Sequence, residues 1–204
     1  MEIPKTKVLD LSALEVQNEF VLTENNLYLD GEITSEKSSE IVGYIIAANF
    51  PPVGEEKLEY INLFINSPGG CMDSTFAMIS AVRASAIPVR TIALGSCASG
   101  GLMLAISGAV RLVDQYCSVM SHTLSTGFPE MAKPDDLQNW LDGVHVQKDK
   151  IIRLYKENTL LNEDIIKDKL LPGSKDVYIT AEQALSYGLF DDYFTNFDTI
   201  GGVK

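Results

Sequence analysis

The sequence predicts a single α/β domain built around a parallel β-sheet, and three observations favour this fold. First, β-prone apolar segments alternate along the chain with segments whose apolar residues recur at helical spacing, a pattern typical of β-α-β crossovers. Second, no internal repeat or linker-like change of composition divides the chain. Third, the 204 residues are 46% hydrophobic and 22% charged, which suits one soluble domain. We therefore expect residues 1–204 to form one domain, with residues 1–19 as an N-terminal arm.

In the first half of the chain, strands and helices are expected to alternate. The run from Asn26 alternates in polarity and ends in a turn at Gly31, while Ser35 is placed to cap a helix. The predicted strands are 26–31, 58–66 and 89–94, and the predicted helices are 35–49, 73–86 and 99–107.

The second half begins with two short strands and ends with a short helix. Between them, apolar residues recur at helical spacing over one long segment. Thr180 precedes the last helix and Gly188 ends it, as expected for a cap and a stop. The predicted strands are 111–113 and 118–120, and the predicted helices are 134–158 and 181–187.

The charge balance and the cysteines exclude several function classes. With 16 basic and 28 acidic residues, the net charge is −12, which disfavours nucleic acid and anionic lipid as partners. The most apolar stretch, 87–113, is interrupted by Arg90 and Arg111, so it is expected to be core rather than a membrane span. Cys71, Cys97 and Cys117 lack metal-ligand spacing and are expected to be reduced and buried, in a soluble intracellular protein without a bound metal.

Two small-residue turns between a strand and a helix could carry chemistry. Ser67-Pro68-Gly69-Gly70 is either an ordinary turn or a loop whose backbone N–H groups face an oxyanion. In the second turn, 95–101, Ser99 is either the cap of an apolar helix or a nucleophile. Each segment taken alone favours the structural interpretation.

A nucleophilic serine needs a base, and the chain has two histidines. His122 follows a predicted strand, where catalytic side chains often project, whereas His145 lies within the long helix and is expected to be solvated. Asp176 precedes the β-like run at 177–179, but the pattern alone does not choose among the many carboxylates.

Taken together and in order, these motifs resemble the ClpP proteolytic subunit of Clp proteases. The resemblance rests on INSPGG at 65–70, GSCASGG at 95–101, VMSH at 119–122, DVYITAEQA at 176–184 and YGL at 187–189. It runs from about residue 27 to residue 192. No single motif is highly specific, but their order and compatible spacing are.

The resemblance implies a serine endopeptidase and assigns residue roles. Ser99 matches the nucleophile, His122 the base and Asp176 the orienting acid, while Gly70 and Gly100 match the backbone donors of the oxyanion hole. It also implies the spiral of β-α-β units shared by ClpP and crotonases, with a protruding handle at about 123–160.

The resemblance implies an assembly as well. The expected partners are further copies of the chain, forming two stacked heptameric rings, and a hexameric AAA+ unfoldase of the ClpX, ClpA or ClpC type that feeds in unfolded proteins. ATP would be used by that unfoldase, since no Gly-x4-Gly-Lys-Ser/Thr motif occurs in these 204 residues and no cofactor is expected. The expected location is the cytoplasm, an organelle stroma or matrix, or a host cytoplasm.

The sequence also departs from the family pattern. Gly100 stands where a larger residue such as Met is usual, which predicts a wider first subsite or a looser turn. Thr123-Leu124 replaces the usual Gln-Pro, and Ser125-Thr126-Gly127 replaces a more glycine-rich stretch. These changes suit a divergent paralogue or an organelle- or phage-encoded copy.

Two other functions stay open at this point. A crotonase-like acyl-CoA enzyme would share the spiral fold and the glycine-rich oxyanion loop, but its chemistry commonly uses carboxylates and needs no serine–histidine pair. An inactive scaffold subunit would keep the fold and commonly loses a triad residue, whereas all three candidate residues are present here.

Overall fold

The computed structural model of the chain describes residues 21–23, 25–54, 56–125, 133–197 and 200. The predicted arm at 1–19 and the Thr126-Gly127 departure lie outside these residues. Eight strands are found in the described residues: β1 (Val21–Thr23), β2 (Asn26–Asp30), β3 (Ile61–Ser67), β4 (Val89–Ala98), β5 (Val110–Val113), β6 (Ser118–Ser121), β7 (Val177–Ile179) and β8 (Asp192–Tyr193).

Helices connect most of these strands. They are α1 (Ser35–Asn49), α2 (Met72–Ala84), α3 (Gly100–Ala105), α4 (Pro134–Asn158), α5 (Glu163–Ile165), which continues into a π-helical turn (Ile166–Leu170), and α6 (Ala181–Ser186). The predicted α/β class is confirmed, because β2, β3, β4, β5 and β8 lie side by side and pair in parallel.

Strand β4 has two different neighbours along its length. Its first part, from Arg90 to Ala93, pairs with β5, whereas Ser96 to Ala98 pair with β6. The change of partner occurs at Gly95, where φ is +52° and where Asn66 Oδ1 accepts a hydrogen bond of 2.8 Å from the Ser96 N–H. This bend turns the carboxyl end of β4 away from the main sheet and towards β6 and β7.

The core lies on both faces of the sheet. One face packs against α1, α2, α3 and the last turns of α4 in a large apolar cluster. On the opposite face, Phe64, Ile92 and Leu112 are aligned across three strands, and the rings of Phe194 and Phe197 contact Phe64. Burial on both faces agrees with β3, in which every residue from Ile61 to Ile65 is buried.

Several sequence predictions differ in detail from the structure. Thr34, not Ser35, caps α1, and its side chain accepts a hydrogen bond from the Lys37 N–H. The strand predicted to end at Leu94 continues to Ala98, because the small residues that suggested a turn lie on the bend of β4. Cys71 is exposed, whereas Cys97 and Cys117 are buried as expected; all three are free thiols.

Candidate active site

Ser99 occupies a constrained position between β4 and α3. Its φ is +53° and its ψ is −122°, and no other non-glycine residue has a positive φ in the part of the chain that the structure describes. Such a conformation costs about 1–3 kcal/mol and is commonly associated with function. Although Ser99 is the N-cap of α3, its side chain makes no capping hydrogen bond, so the structural interpretation of this serine fails.

The parallel pairing of β4 with β6 brings His122 to Ser99. Ala98 pairs with Met120, and the Ser99 N–H donates a hydrogen bond of 2.9 Å to the Met120 carbonyl. His122 follows two residues later, where β6 has ended. Its Nε2 lies 2.7 Å from Ser99 Oγ, a short hydrogen bond between the predicted base and the predicted nucleophile.

The antiparallel pairing of β6 with β7 brings Asp176 to His122. Ser121, the last residue of β6, pairs with Val177, the first residue of β7. His122 directly follows Ser121 and Asp176 directly precedes Val177, so the two residues lie opposite each other. His122 Nδ1 is 3.6 Å from Asp176 Oδ1, and the Asp176 side chain is 54% exposed. This distance is too long for a hydrogen bond. The carboxylate nevertheless lies next to Nδ1, the imidazole nitrogen that does not contact Ser99.

The two small-residue turns meet directly beside Ser99. A Cβ at Gly69 would lie 2.8 Å from the Gly100 nitrogen and 2.8 Å from Ser99 Cβ, so only glycine allows this approach. On either side of Gly70, the Gly69 carbonyl accepts a hydrogen bond from the Ile33 N–H, and the Cys71 N–H donates one to the Ile33 carbonyl. The Gly70 N–H takes no part in these two hydrogen bonds. The Gly100 N–H belongs to the first turn of α3, where backbone donors have no helical partner.

The space beside Gly100 is filled from inside the protein. A Cβ at Gly100 would lie 2.6 Å from Thr75 Oγ1 and 3.4 Å from Ile33 Cδ1, and Thr75 is fully buried. A side chain at this position would therefore meet Thr75 and Ile33, and the wider first subsite or looser turn expected at Gly100 stays a prediction. The neighbouring departure, Thr123, donates a hydrogen bond from its hydroxyl to the Gly173 carbonyl.

An apolar pocket of about 230 Å³, here called the Ser99 pocket, adjoins Ser99 and His122. Sequence patterns did not indicate its lining. The spacing of Ile151 and Tyr155 on α4 could have indicated part of this lining, since residues four positions apart lie on one helix face. The apolar lining residues are Pro68, Met72, Met103, Met120, Leu124, Ile151 and Tyr155.

The remaining candidate residues lie apart from this group. His145 is exposed on α4, as expected for a solvated helical histidine. The arrangement of Ser99, His122 and Asp176, next to backbone N–H groups and an apolar pocket, has the elements required for acyl transfer.

Comparison with known proteins gives this geometry a family. The family model described as Clp protease matches residues 12–196. The chain belongs to the Clp protease family. Two relatives are each called ATP-dependent Clp protease proteolytic subunit 1. The protein from Chlamydia caviae is 24% identical over 91% of this chain and 95% of its own length. The protein from Chlamydia pneumoniae is 26% identical over 88% and 92%, respectively.

Membership of the Clp protease family confirms the resemblance on which the predicted residue roles rest. The match reaches over most of the described fold, from the N-terminal side of β1 to the residues after β8. Within the described residues, none of the helices of this Clp protease family member combines the length and the apolar character needed to cross a membrane.

Proposed function

We propose that the chain is a serine endopeptidase subunit of an ATP-dependent Clp protease, with Ser99, His122 and Asp176 as its catalytic triad. The observation that carries the proposal is the 2.7 Å contact between Ser99 Oγ and His122 Nε2, formed by a serine whose side chain makes no capping hydrogen bond. Family membership favours this function over a crotonase-like acyl-CoA enzyme.

In the first half of the reaction, Ser99 Oγ attacks the carbonyl carbon of the scissile peptide bond. His122 Nε2 takes the serine proton as the C–O bond forms. The carbonyl oxygen then carries a negative charge, and the N–H groups of Gly70 and Gly100 are proposed to donate hydrogen bonds to it. A donor of this kind contributes roughly 3 kcal/mol to stabilisation of the transition state.

The second half of the reaction releases both products. His122 gives its proton to the departing amine, and the C–N bond breaks to leave an acyl group on Ser99. Water then attacks the acyl carbon with His122 again as base, which frees the carboxylate product and the Ser99 hydroxyl. Asp176 lies beyond His122 Nδ1, where a negative charge stabilises the imidazolium and favours the required tautomer.

The proposed biological context follows from the family. The subunit would assemble with copies of itself into two stacked heptameric rings and receive unfolded polypeptides from a hexameric AAA+ unfoldase of the ClpX, ClpA or ClpC type. ATP would be consumed by the unfoldase, and this chain would carry no cofactor. The site would then act in the cytoplasm or an equivalent compartment.

The test is covalent labelling of the purified chain with a fluorophosphonate, followed by intact-mass measurement. We expect one adduct on the wild type and none on Ser99→Ala, together with loss of peptide hydrolysis and unchanged assembly. Ser80→Ala is the matched control, because Ser80 is an exposed serine on α2 outside the site. That variant should label like the wild type.

Two results would contradict the proposal. Labelling that persists in Ser99→Ala would move the nucleophile to another residue. A wild type that assembles into rings but neither labels nor cleaves peptides, with and without the unfoldase, would instead identify an inactive scaffold subunit.

A further inference from the structure

The two glycines at 69–70 need contacts from other residues to keep one conformation. Gly69 has a φ of +97° and Gly70 a φ of +150°, and a residue without a Cβ reaches such angles at no steric cost. The same freedom would let the peptide planes of this turn rotate. The direction of the Gly70 N–H, a proposed donor to the oxyanion, is therefore set by the hydrogen bonds around the turn.

The peptide plane between the two glycines is held by the segment that follows β2. The Gly69 carbonyl accepts a hydrogen bond of 2.8 Å from the Ile33 N–H. Because the carbonyl and the N–H of a trans peptide point in opposite directions, the Gly70 N–H points away from Ile33. Gly70 and Ser99 both line the Ser99 pocket, so a donor with this direction can reach an oxyanion formed at Ser99.

The preceding peptide plane is held by the hydroxyl of Ser67, the last residue of β3. Ser67 Oγ accepts a hydrogen bond of 3.1 Å from the Gly69 N–H and donates one of 2.6 Å to the Gly31 carbonyl. Ser67 is fully buried, so loss of its hydroxyl would leave both backbone groups without this partner inside the protein. One side chain consequently links the 68–70 turn to the residues that follow β2.

Ser67 also contacts the start of α3, where the second proposed donor lies. A Cβ at Gly101 would lie 2.7 Å from the Ser67 carbonyl oxygen and 3.1 Å from Ser67 Cβ. In addition, Ser67 pairs with Cys97 of β4, two residues before Ser99. The serine therefore lies between the two turns that contain Gly70 and Gly100.

We propose that Ser67 is a positioning residue of the oxyanion hole. Its hydroxyl holds the 68–70 turn in the conformation in which the Gly70 N–H faces the carbonyl oxygen of the bound peptide. Ser67 acts through the turn, since its burial keeps it from touching the substrate. This inference rests on the proposed peptidase function and goes further, because it names a residue outside the triad and the two backbone donors.

The experiment separates binding in the oxyanion hole from binding elsewhere in the site. A peptide aldehyde and the peptide alcohol of the same sequence are compared as inhibitors of the assembled wild type and Ser67→Ala. With the aldehyde, Ser99 Oγ bonds to the carbonyl carbon, and the serine proton moves through His122 to the carbonyl oxygen of the resulting hemiacetal. That oxygen lies in the oxyanion hole, whereas the alcohol has no carbonyl and forms no adduct.

We expect Ser67→Ala to weaken the aldehyde selectively. Its inhibition constant should rise by roughly tenfold or more, whereas that of the alcohol should stay close to the wild-type value. In peptide hydrolysis, kcat should fall by roughly tenfold to a hundredfold with KM nearly unchanged, because complete loss of one donor costs about 10²–10³-fold. Ser67→Cys keeps a weak donor and acceptor and should lose less than Ser67→Ala.

Ser85→Ala is the matched control. The Ser85 hydroxyl likewise accepts a hydrogen bond from the N–H two residues later, that of Ile87, at 3.2 Å, and it donates one of 2.7 Å to the Ile87 carbonyl. It lies at the C-terminal end of α2, roughly 20 Å along the helix from the end next to Gly70. This variant should keep the wild-type ratio of the two inhibition constants.

Sedimentation velocity and urea unfolding confirm that each variant assembles and folds. An assembled Ser67→Ala that keeps the wild-type ratio overturns the inference, and so does an equal loss for both inhibitors, which would show a structural role only. If Ser67→Ala does not assemble, the same criteria apply to Ser67→Cys.

The wild type separates this inference from the proposed function. An assembled wild type that binds the aldehyde no better than the alcohol forms no adduct at Ser99, which contradicts the peptidase function and this inference with it. A wild-type preference for the aldehyde that the Ser67 variants retain contradicts the role of Ser67 alone.

Discussion

The Thr75 side chain occupies the space that a side chain at Gly100 would need, next to the turn that contains Ser99. Thr75 Oγ1 donates a hydrogen bond of 2.9 Å to the Cys71 carbonyl, which holds its side chain on the first turn of α2. In that position the hydroxyl lies 2.6 Å from the point where a Cβ at Gly100 would be. The backbone at Gly100 does not have a positive φ, so the neighbour and not the backbone conformation requires glycine there.

This packing predicts that the two positions are coupled. Gly100→Ala should lower the free energy of unfolding by about 1–3 kcal/mol, because it overpacks a buried site. It should also slow fluorophosphonate labelling of Ser99 by displacing the turn. Adding Thr75→Ala removes the clashing hydroxyl and methyl group and should restore most of both losses. Urea unfolding and labelling rates of the four proteins complete the double-mutant cycle.

Additive effects in that cycle would contradict the coupling. The single variant Thr75→Ala serves as the reference, since it removes the same atoms while Gly100 stays in place. Its own loss of stability should be smaller than the loss in Gly100→Ala.

At this scale the sequence indicated the residues of the proposed triad but not how the space around them is filled. Ser99, His122 and Asp176 could be chosen because their residue types and order match a known pattern. Thr75 could not be chosen, because its relation to Gly100 depends on how α2 packs against α3, and 25 residues separate them.

At the scale of elements, strand pairing assembles the site. The parallel register of β4 with β6 sets the distance from Ser99 to His122, and the antiparallel register of β6 with β7 sets His122 opposite Asp176. The sequence predicted these strands approximately. It did not predict that β4 continues past Leu94 and changes partner, because such pairing is set by tertiary contacts such as the bond from Ser96 to Asn66.

The elements that follow the site are joined by an exposed ion-pair cluster. Glu163, at the start of α5, lies 2.9 Å from Lys156 Nζ at the end of α4 and 2.7 Å from Lys167 Nζ. Hydrogen bonds from Lys167 and Lys156 lower the pKa of Glu163 from 4.5 to about 2. A carboxyl group whose pKa is lower in the folded state stabilises the fold at pH values above its pKa in the unfolded chain. This contribution is lost as the pH falls from about 4.5 to about 2.

The corresponding prediction concerns Glu163→Gln. Its urea midpoint should lie below that of the wild type near neutral pH, and the difference should disappear as the pH falls through the window from about 4.5 to about 2. Because the cluster is exposed, high salt should also reduce the difference. Glu182→Gln, at an exposed glutamate on α6, is the matched control. A difference that is independent of pH would show that Glu163 acts through packing and not through its charge.

On the scale of the whole molecule, one end of helix α4 lies in the core and the other end lies in solvent. Its last turns are buried in the core, and Ile151 and Tyr155 reach the Ser99 pocket. Its first half is much more open, with Leu141 42% exposed although it follows the same apolar spacing as the buried end. Apolar residues that continue a core-facing stripe into solvent are typical of a surface that another chain covers.

This arrangement predicts that Leu141→Glu weakens self-association without unfolding the subunit. A charge at a position covered by a partner must be desolvated without compensation, so the assembled form should lose stability relative to free subunits. Sedimentation velocity over a range of protein concentrations measures the shift, and circular dichroism confirms that the fold is kept. Asn139→Glu adds the same charge at an exposed position on the opposite side of α4 and should leave the assembly unchanged. If both variants assemble like the wild type, the exposed half of α4 is not the surface through which the subunits contact each other.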